Sequence, residues 1–291
     1  MGGGSWTTSA FNAYTTSYRG MDSATYSASS MSTQEIFRAR RLDSALNPLR
    51  VMRECVDSKE HPNTFPVILA LDVTGSMGSA ASKVAKALGN IMEDLYSEKV
   101  VPDIEFCIMA IGDLYCDNAP IQISQFESDV RIAEQLDKVY FEHGGGGNKW
   151  ESYTAAWYMG TRHCKLDCWG RGKRGVIITL GDEQINPVLQ ADKIKVFVGD
   201  NNQSDIETNS LYEEATEKFD IYHISVNDSE SSYSGNNISG KVDESWKSVI
   251  GQNYHVCTIN ELASTITDII SGSYEEVANT TGTISSDGIS W

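Results

Sequence analysis

The amino-acid sequence predicts an α/β fold with a Rossmann-like, doubly wound, mostly parallel sheet and helices on both faces. Beyond residue 64, short apolar runs alternate with amphipathic segments, which is the pattern of consecutive strands and helices. The apolar runs are almost unbroken, as is typical of strands buried on both faces of a parallel sheet. The chain has 291 residues, enough for one large domain with extensions. We therefore expect one main domain over residues 65–275.

The predicted elements follow one another along this domain. Strands are predicted at residues 66–71, 104–112, 121–126, 175–180, 221–226 and 254–259. Helices, each with one apolar face, are predicted at residues 79–96, 128–140, 151–162, 211–219, 243–250 and 262–270. A capping box of Ser210 and Glu213 marks the start of the fourth helix. Residues 194–198 fit either a strand or the end of a helix.

Three further segments flank the main domain. Residues 1–33 contain 14 Ser or Thr and several aromatic residues in neither helical nor alternating order, so we expect an irregular arm without its own core. Over residues 34–64 the sequence predicts a short helix at 35–49 followed by a linker. Residues 276–291 are predicted to form a C-terminal tail. The first 50 residues carry five Arg against three acidic residues. The arm is therefore expected to contact the acidic body or a neighbouring copy, which would give a homo-oligomer.

Charge and composition argue against several classes of protein. The net charge of −17 disfavours nucleic-acid binding, because a polyanion would be repelled at long range. The longest apolar run is too short to cross a membrane. Six cysteines without a C-x-x-C pair or a signal segment predict reduced thiols and a cytoplasmic or virion-associated location. Cys164 and Cys168, beside His163, resemble half of a zinc site that has no second half in the sequence.

Hydroxyl and carboxylate side chains follow two of the predicted strands. Asp72, Thr74 and Ser76 occupy alternate positions after the first strand, and Asp182 and Glu183 follow the strand at 175–180. Ligands of such sheets bind where the strands have their carboxyl ends, so these side chains are expected to lie close together. All are hard oxygen ligands, which suit Mg²⁺ or Mn²⁺. The alternative is a simple turn in which the hydroxyls cap the next helix.

A glycine run at 144–147 lies between these two segments in the sequence. Asn148, Glu151 and Ser152 follow it, and any of them can reach the predicted metal site. The glycine run also fits a tight turn or a phosphate cradle, although no Gly-Lys-Ser or Gly-Lys-Thr follows it. Asp113 follows the second strand. It either caps a loop or hydrogen bonds to the metal ligands without binding the metal itself, and the second of these roles is also open to Glu183.

The Asp-x-Thr-Gly-Ser-Met motif at 72–77, the glycine-rich loop and the strand-terminal Asp182 resemble a von Willebrand factor A domain. The resemblance covers residues 65–275 and is to the bacterial and phage intracellular type, with a metal-ion-dependent adhesion site. It implies that Thr74 and Ser76 bind Mg²⁺ directly, and that Asp72 and Asp182 act directly or through water. A partner's Asp or Glu would take the remaining position. The second loop lacks the usual Thr, so one of its three polar residues replaces it or the position is vacant.

The resemblance implies a non-catalytic, Mg²⁺-dependent module for protein binding or assembly. A first alternative is a phosphotransferase of the haloacid dehalogenase type, because Asp72-Val-Thr-Gly-Ser is similar to the Asp-Lys-Thr-Gly-Thr of ion-pumping ATPases. Asp72 would then be the nucleophile. A helix directly after this motif leaves no place for the hairpin flap of those enzymes. A second alternative is a structural assembly protein of phage or bacterial defence, in which the fold is a scaffold.

Overall fold

The centre of the protein is a six-stranded sheet. The structure, a computed structural model, describes residues 4–97, 101–142, 149–226 and 238–282. The strands of the sheet, β1 to β6 in chain order, are Phe65–Asp72, Ile104–Ile111, Ile121–Ile123, Gly175–Gly181, Phe219–Val226 and Tyr254–Cys257. They lie in the order β3-β2-β1-β4-β5-β6, and within this sheet β3 alone is antiparallel. The predicted doubly wound, mostly parallel α/β sheet with helices on both faces is confirmed.

Helices cover both faces of the sheet. In chain order they are α1 Thr8–Arg19, α2 Ser23–Ser27, α3 Thr33–Ile36, α4 Gly78–Ser97, α5 Arg131–Leu136, α6 Thr154–Arg162, α7 Asp167–Gly170, α8 Ala191–Phe197, α9 Thr208–Thr216, α10 Ile238–Ile250 and α11 Leu262–Gly282. Short parallel strand pairs join Arg53–Cys55 to Cys164–Leu166 and Trp150–Glu151 to Gln184–Ile185. A short antiparallel pair joins Val188–Leu189 to Ile206–Glu207. None of the helices in the described ranges combines the length and apolarity that a membrane span requires.

The core consists of two apolar layers, one on each side of the sheet. Every residue of β1, β2 and β4 is buried. Alternate residues of β1 point to opposite layers: Leu69 belongs to the layer under α1, α4 and α11, and Ile68 to the layer under α6, α9 and α10. Both faces of the central strands are therefore excluded from solvent, which explains their almost unbroken apolar sequences.

The N-terminal segment is helical and packs on the body of the same chain, so the prediction of an irregular arm was wrong. Thr7 caps the start of α1, where its hydroxyl accepts a hydrogen bond from the amide of Ala10, and Gly20 caps the end of the helix with φ +74°. Trp6 and Phe11 are buried in the core layer under α4. The ring of Phe11 occupies the space that a side chain at Gly89 would fill. Burial of these rings stabilises a helix that its own Ser- and Thr-rich sequence favours only weakly.

A buried ion pair anchors this N-terminal segment. Arg19 pairs with Asp137, and their side chains are 1% and 6% exposed. The hydroxyl of Tyr14 donates a second hydrogen bond to the Asp137 carboxylate at 2.7 Å. Burial raises the pKa of Asp137 above its usual value, although the Arg19 charge acts in the opposite direction. The N-terminal segment therefore contacts an acidic residue of its own chain, Asp137. A homo-oligomer formed through this segment stays a prediction.

Several predicted boundaries differ from the structure. The expected helix at 35–49 is instead α3 and a separate 3₁₀ turn, Ser44–Leu46, because Ile36 and Leu46 reach the core from two short turns. Helix α9 begins at Thr208, so the predicted capping box does not start it. Helix α5 is shorter than the predicted 128–140, residues 194–198 form the end of α8, and α11 continues past residue 275.

We expect Arg19→Met to lower the free energy of unfolding by about 3–5 kcal/mol, because it leaves the buried Asp137 carboxylate without its cation. Arg174→Met is the matched control, since Arg174 is half exposed in its pair with Asp220 and should cost about 1 kcal/mol or less. Urea denaturation measures both. Equal effects of the two substitutions would contradict anchoring through the Arg19–Asp137 pair.

Candidate functional site

Two loops meet at the carboxyl edge of the sheet. Asp72 is the last residue of β1, and Thr74 and Ser76 follow it in a turn that leads into α4. Asp182 follows the last residue of β4. Because β1 and β4 are adjacent and parallel, their ends lie side by side. The Ser76 hydroxyl donates a hydrogen bond to Oδ1 of Asp182 at 3.1 Å. The structure thus brings together the residues that the sequence placed in one site.

Asp72, at the end of β1, is 1% exposed. Its Oδ1 accepts hydrogen bonds from the amide and the hydroxyl of Thr74, at 2.8 and 2.5 Å. Its Oδ2 accepts a hydrogen bond from the hydroxyl of Tyr153 at 2.7 Å. Burial, together with the nearby charge of Asp182, raises the pKa of Asp72 to about 7. No ion pair in the described part of the chain supplies a positive charge to Asp72.

Tyr153 is a residue of this site that the sequence analysis missed. Its ring is fully buried, and its hydroxyl also accepts a hydrogen bond from the amide of Glu183 at 3.3 Å. Tyr153 therefore bridges the loops after β1 and β4. The hydroxyl lies so close to Gly181 that a Cβ atom there would overlap it. The site thus requires glycine at position 181, and no sequence motif predicts this requirement.

Glu151 is the second-loop candidate whose side chain has an unsatisfied atom. It is 5% exposed, and its Oε2 has no hydrogen-bond partner among the described residues. The short strand Trp150–Glu151 pairs with Gln184–Ile185, which brings Glu151 close to the end of β4. Burial, with the charges of Asp72 and Asp113, raises the pKa of Glu151 to about 10. A buried carboxyl with an orphan oxygen is costly without a ligand.

Two other predicted site residues support the loop after β2. The hydroxyl of Ser152 accepts a hydrogen bond from the amide of Leu114 at 3.0 Å. Oδ1 of Asp113 accepts a hydrogen bond from the amide of Tyr115 at 2.9 Å, as expected of a loop cap. Both side chains therefore hold backbone amides at the edge of the site.

Glu183 lies beside the site, whereas Asn148 falls outside the described residues, as does the glycine run at 144–147. The backbone carbonyl of Glu183 accepts a hydrogen bond from the indole of Trp246 at 3.0 Å. Burial and the charge of Asp182 raise the pKa of the Glu183 carboxyl to about 7. This edge of the sheet is therefore crowded with carboxylates.

The donor atoms around Asp72 fit a hard divalent cation. The hydroxyls of Thr74 and Ser76 each donate their proton to a carboxylate, so their lone pairs are free to face a cation. Oxygen ligands from carboxylates and hydroxyls suit Mg²⁺ or Mn²⁺. No group of three or more His, Cys, Asp or Glu within the described ranges has the arrangement of a metal site. The candidate site instead combines two carboxylates with two hydroxyls.

The structure gives no support to the half zinc site. The two ring nitrogens of His163 are hydrogen bonded, one to the carbonyl of Val51 at 2.9 Å and the other to Asp200 at 2.7 Å. The thiols of Cys164 and Cys168 are buried, and burial raises their pKa. Burial thus disfavours the thiolate, which is the form that binds zinc.

Comparison with known proteins shows similarity in fold. No protein-family model and no curated protein sequence matches this chain. The pilus adhesin SpaC from Lactobacillus rhamnosus GG, in its open conformation, matches with a TM-score of 0.53 at 10% identity, over 78% of this chain and 31% of SpaC. A second SpaC structure gives a TM-score of 0.50 at 9% identity, over 78% and 32%. This chain thus spans about a third of SpaC, and at this identity the similarity concerns the fold alone.

We expect Gly181→Ala to lower the free energy of unfolding by about 1–3 kcal/mol, because the added methyl group must displace Tyr153 from Asp72. Gly240→Ala is the control, since nothing lies within 4 Å of its added Cβ in α10. That substitution should leave stability unchanged or raise it by up to about 1 kcal/mol. Chemical denaturation distinguishes the two, and a harmless Gly181→Ala would refute the close packing of Tyr153.

Proposed function

We propose that this chain is a non-catalytic binding module that holds Mg²⁺ or Mn²⁺ in a metal-ion-dependent adhesion site. The metal would be held by Thr74 and Ser76, with Asp72 and Asp182 binding it directly or through water. The observation that carries the proposal is the hydrogen bond from Ser76 to Asp182 across the ends of β1 and β4, where β1 ends at the buried Asp72. A protein partner would contribute the carboxylate of an Asp or Glu.

The electrostatics of the site support a cation. A buried carboxylate that stays ionised needs a compensating charge, and no ion pair in the described part of the chain supplies one to Asp72. A bound divalent ion would supply that positive charge and a coordination position for an incoming carboxylate. Thr74 and Tyr153 meanwhile hold the Asp72 carboxylate in one orientation.

Glu151 is the residue that we assign to the second loop of the site, in the place of the usual Thr. Its buried Oε2 has no partner among the described residues, whereas the Ser152 hydroxyl is bonded to a backbone amide. A carboxylate in that place would add negative charge around the metal and strengthen its binding.

The same geometry favours binding over phosphoryl transfer. A nucleophilic Asp must reach a substrate phosphorus, but both oxygens of Asp72 are hydrogen bonded and the residue is 1% exposed. The residues after it form a 3₁₀ turn and then α4, so the described chain has no hairpin flap at that point. We therefore place the haloacid dehalogenase alternative second.

The partner and the setting are also part of the proposal. SpaC, which shares the fold, is described as a pilus adhesin, and adhesion is the kind of activity proposed here. A role in assembly, in a bacterial or phage cytoplasm or virion, stays a prediction from the sequence. If the site binds no metal, the scaffold alternative becomes the better account.

We expect Asp72→Asn to weaken Mg²⁺ binding at least about tenfold, because it removes a buried charge beside the metal. Glu151→Gln should weaken binding by a smaller factor, since Asp72 also orients the hydroxyl ligand Thr74, whereas the Oε2 of Glu151 has no partner among the described residues. Glu142→Gln is the control: Glu142 also flanks the glycine run, but its carboxylate is bonded to the amide of Ala119. Titration calorimetry measures the three affinities.

The result that opposes the proposal is equal Mg²⁺ affinity in the wild type and Asp72→Asn. Equal effects of Glu151→Gln and Glu142→Gln would remove Glu151 from the site without affecting the other ligands. Circular dichroism of each variant shows whether the fold is retained.

A further inference from the structure

A groove rich in arginine lies on the segment that follows α3. We call it the arginine groove and define it by Arg38, Arg40 and Arg41. It consists of two adjoining cavities of about 620 and 810 Å³, both lined by Arg40. Phe37 and Phe141 also line the smaller cavity, where their rings stack with centroids 5.5 Å apart. The groove therefore combines positive charge with an aromatic wall.

The chain on either side of the arginine groove is connected to the loop after β1 through two contacts. At one end, Thr33 packs against Gly78, two residues beyond Ser76: a Cβ on Gly78 would lie 2.9 Å from the Thr33 hydroxyl. At the other, Phe141 is followed by Glu142, whose amide donates a hydrogen bond to the carbonyl of Val73 at 3.2 Å. The groove is thus attached to the loop that carries the metal ligands.

The arginines of the groove are exposed, and Asp43 is the acidic residue that lines the larger cavity beside Arg40 and Arg41. Arg38, Arg40 and Arg41 are all exposed. No ion pair in the described ranges includes any of them, and Nε of Arg38 donates to the backbone carbonyl of Glu35. By contrast, Arg171 and Arg174, in the basic loop before β4, pair with acidic residues.

The charge of the rest of the molecule makes this patch unusual. The whole chain carries a net charge of −17, yet its first 50 residues have more Arg than acidic residues. A local positive groove on such a protein attracts a short acidic segment, whereas a long polyanion such as a nucleic acid is repelled by the remaining surface. Guanidinium groups also bind carboxylates with two parallel hydrogen bonds.

We propose that the arginine groove binds an acidic, extended segment of the protein partner, with Asp or Glu at two or more positions. This inference rests on the proposed function, because one carboxylate of the same partner would occupy the metal site while others pair with Arg40 and Arg41. A single metal-bound carboxylate distinguishes poorly between partners. The groove supplies the additional contacts that select an acidic sequence.

The test uses fluorescence anisotropy with the full chain and a short labelled peptide that has Glu at every third position between Ser and Gly. Its variants are Arg40→Gln with Arg41→Gln in the groove, and Arg50→Gln with Lys59→Gln as a control that removes two exposed charges elsewhere. Binding is measured in Mg²⁺ and in EDTA. We expect the groove variant to weaken binding about tenfold in both conditions, and the control to change it less than about twofold.

Each outcome has a separate meaning. Equal loss in the groove and control variants, or no binding of the peptide by the wild type, overturns the groove proposal. Tighter binding of a single-stranded oligonucleotide of equal charge overturns the choice of a protein partner. If the groove variant behaves as expected but Mg²⁺ and EDTA give the same wild-type affinity, the groove stands and the proposed metal function fails.

Discussion

The burial of the Asp72 carboxylate at the junction of β1 and β4 is the constraint on which the rest of the site depends. Asp72 is 1% exposed, so its carboxylate must be hydrogen bonded by neighbouring groups of the protein and not by bulk water. Thr74 and Tyr153 satisfy its oxygens with hydrogen bonds from opposite sides. Tyr153 can approach only because position 181 has no side chain. The ends of two strands and one helix are thereby fixed relative to one another.

The N-terminal segment packs against the start of α4, which follows the candidate site in the chain. Helix α1 is held by the Arg19–Asp137 pair, and α3 packs beside the start of α4, next to the turn that contains Ser76. The segment from 34 to 47 follows directly from α3 and carries the exposed Arg38, Arg40 and Arg41. The stretch that the sequence indicated as a short helix and linker thus lines the arginine groove in the folded chain.

The fold and the candidate ligands were largely predictable from sequence, for a local reason. Strands β1, β2 and β4 are almost unbroken apolar runs, Asp72 ends β1 and Asp182 directly follows β4, so topology alone brings the two carboxylates together. Tyr153 and the packing of α1 were not predictable, because both depend on contacts between residues far apart in the chain. Nothing local to Gly181 shows that a phenol hydroxyl lies against it.

The most direct test of the central claim is a crystal structure of the protein grown with Mn²⁺, with the metal located by anomalous scattering. Our account predicts one strong peak at the junction of β1 and β4, bonded to the hydroxyl oxygens of Thr74 and Ser76 and adjacent to Asp72 and Asp182. An ordered Ser76–Asp182 hydrogen bond with no peak beside it, at saturating Mn²⁺, would contradict the claim.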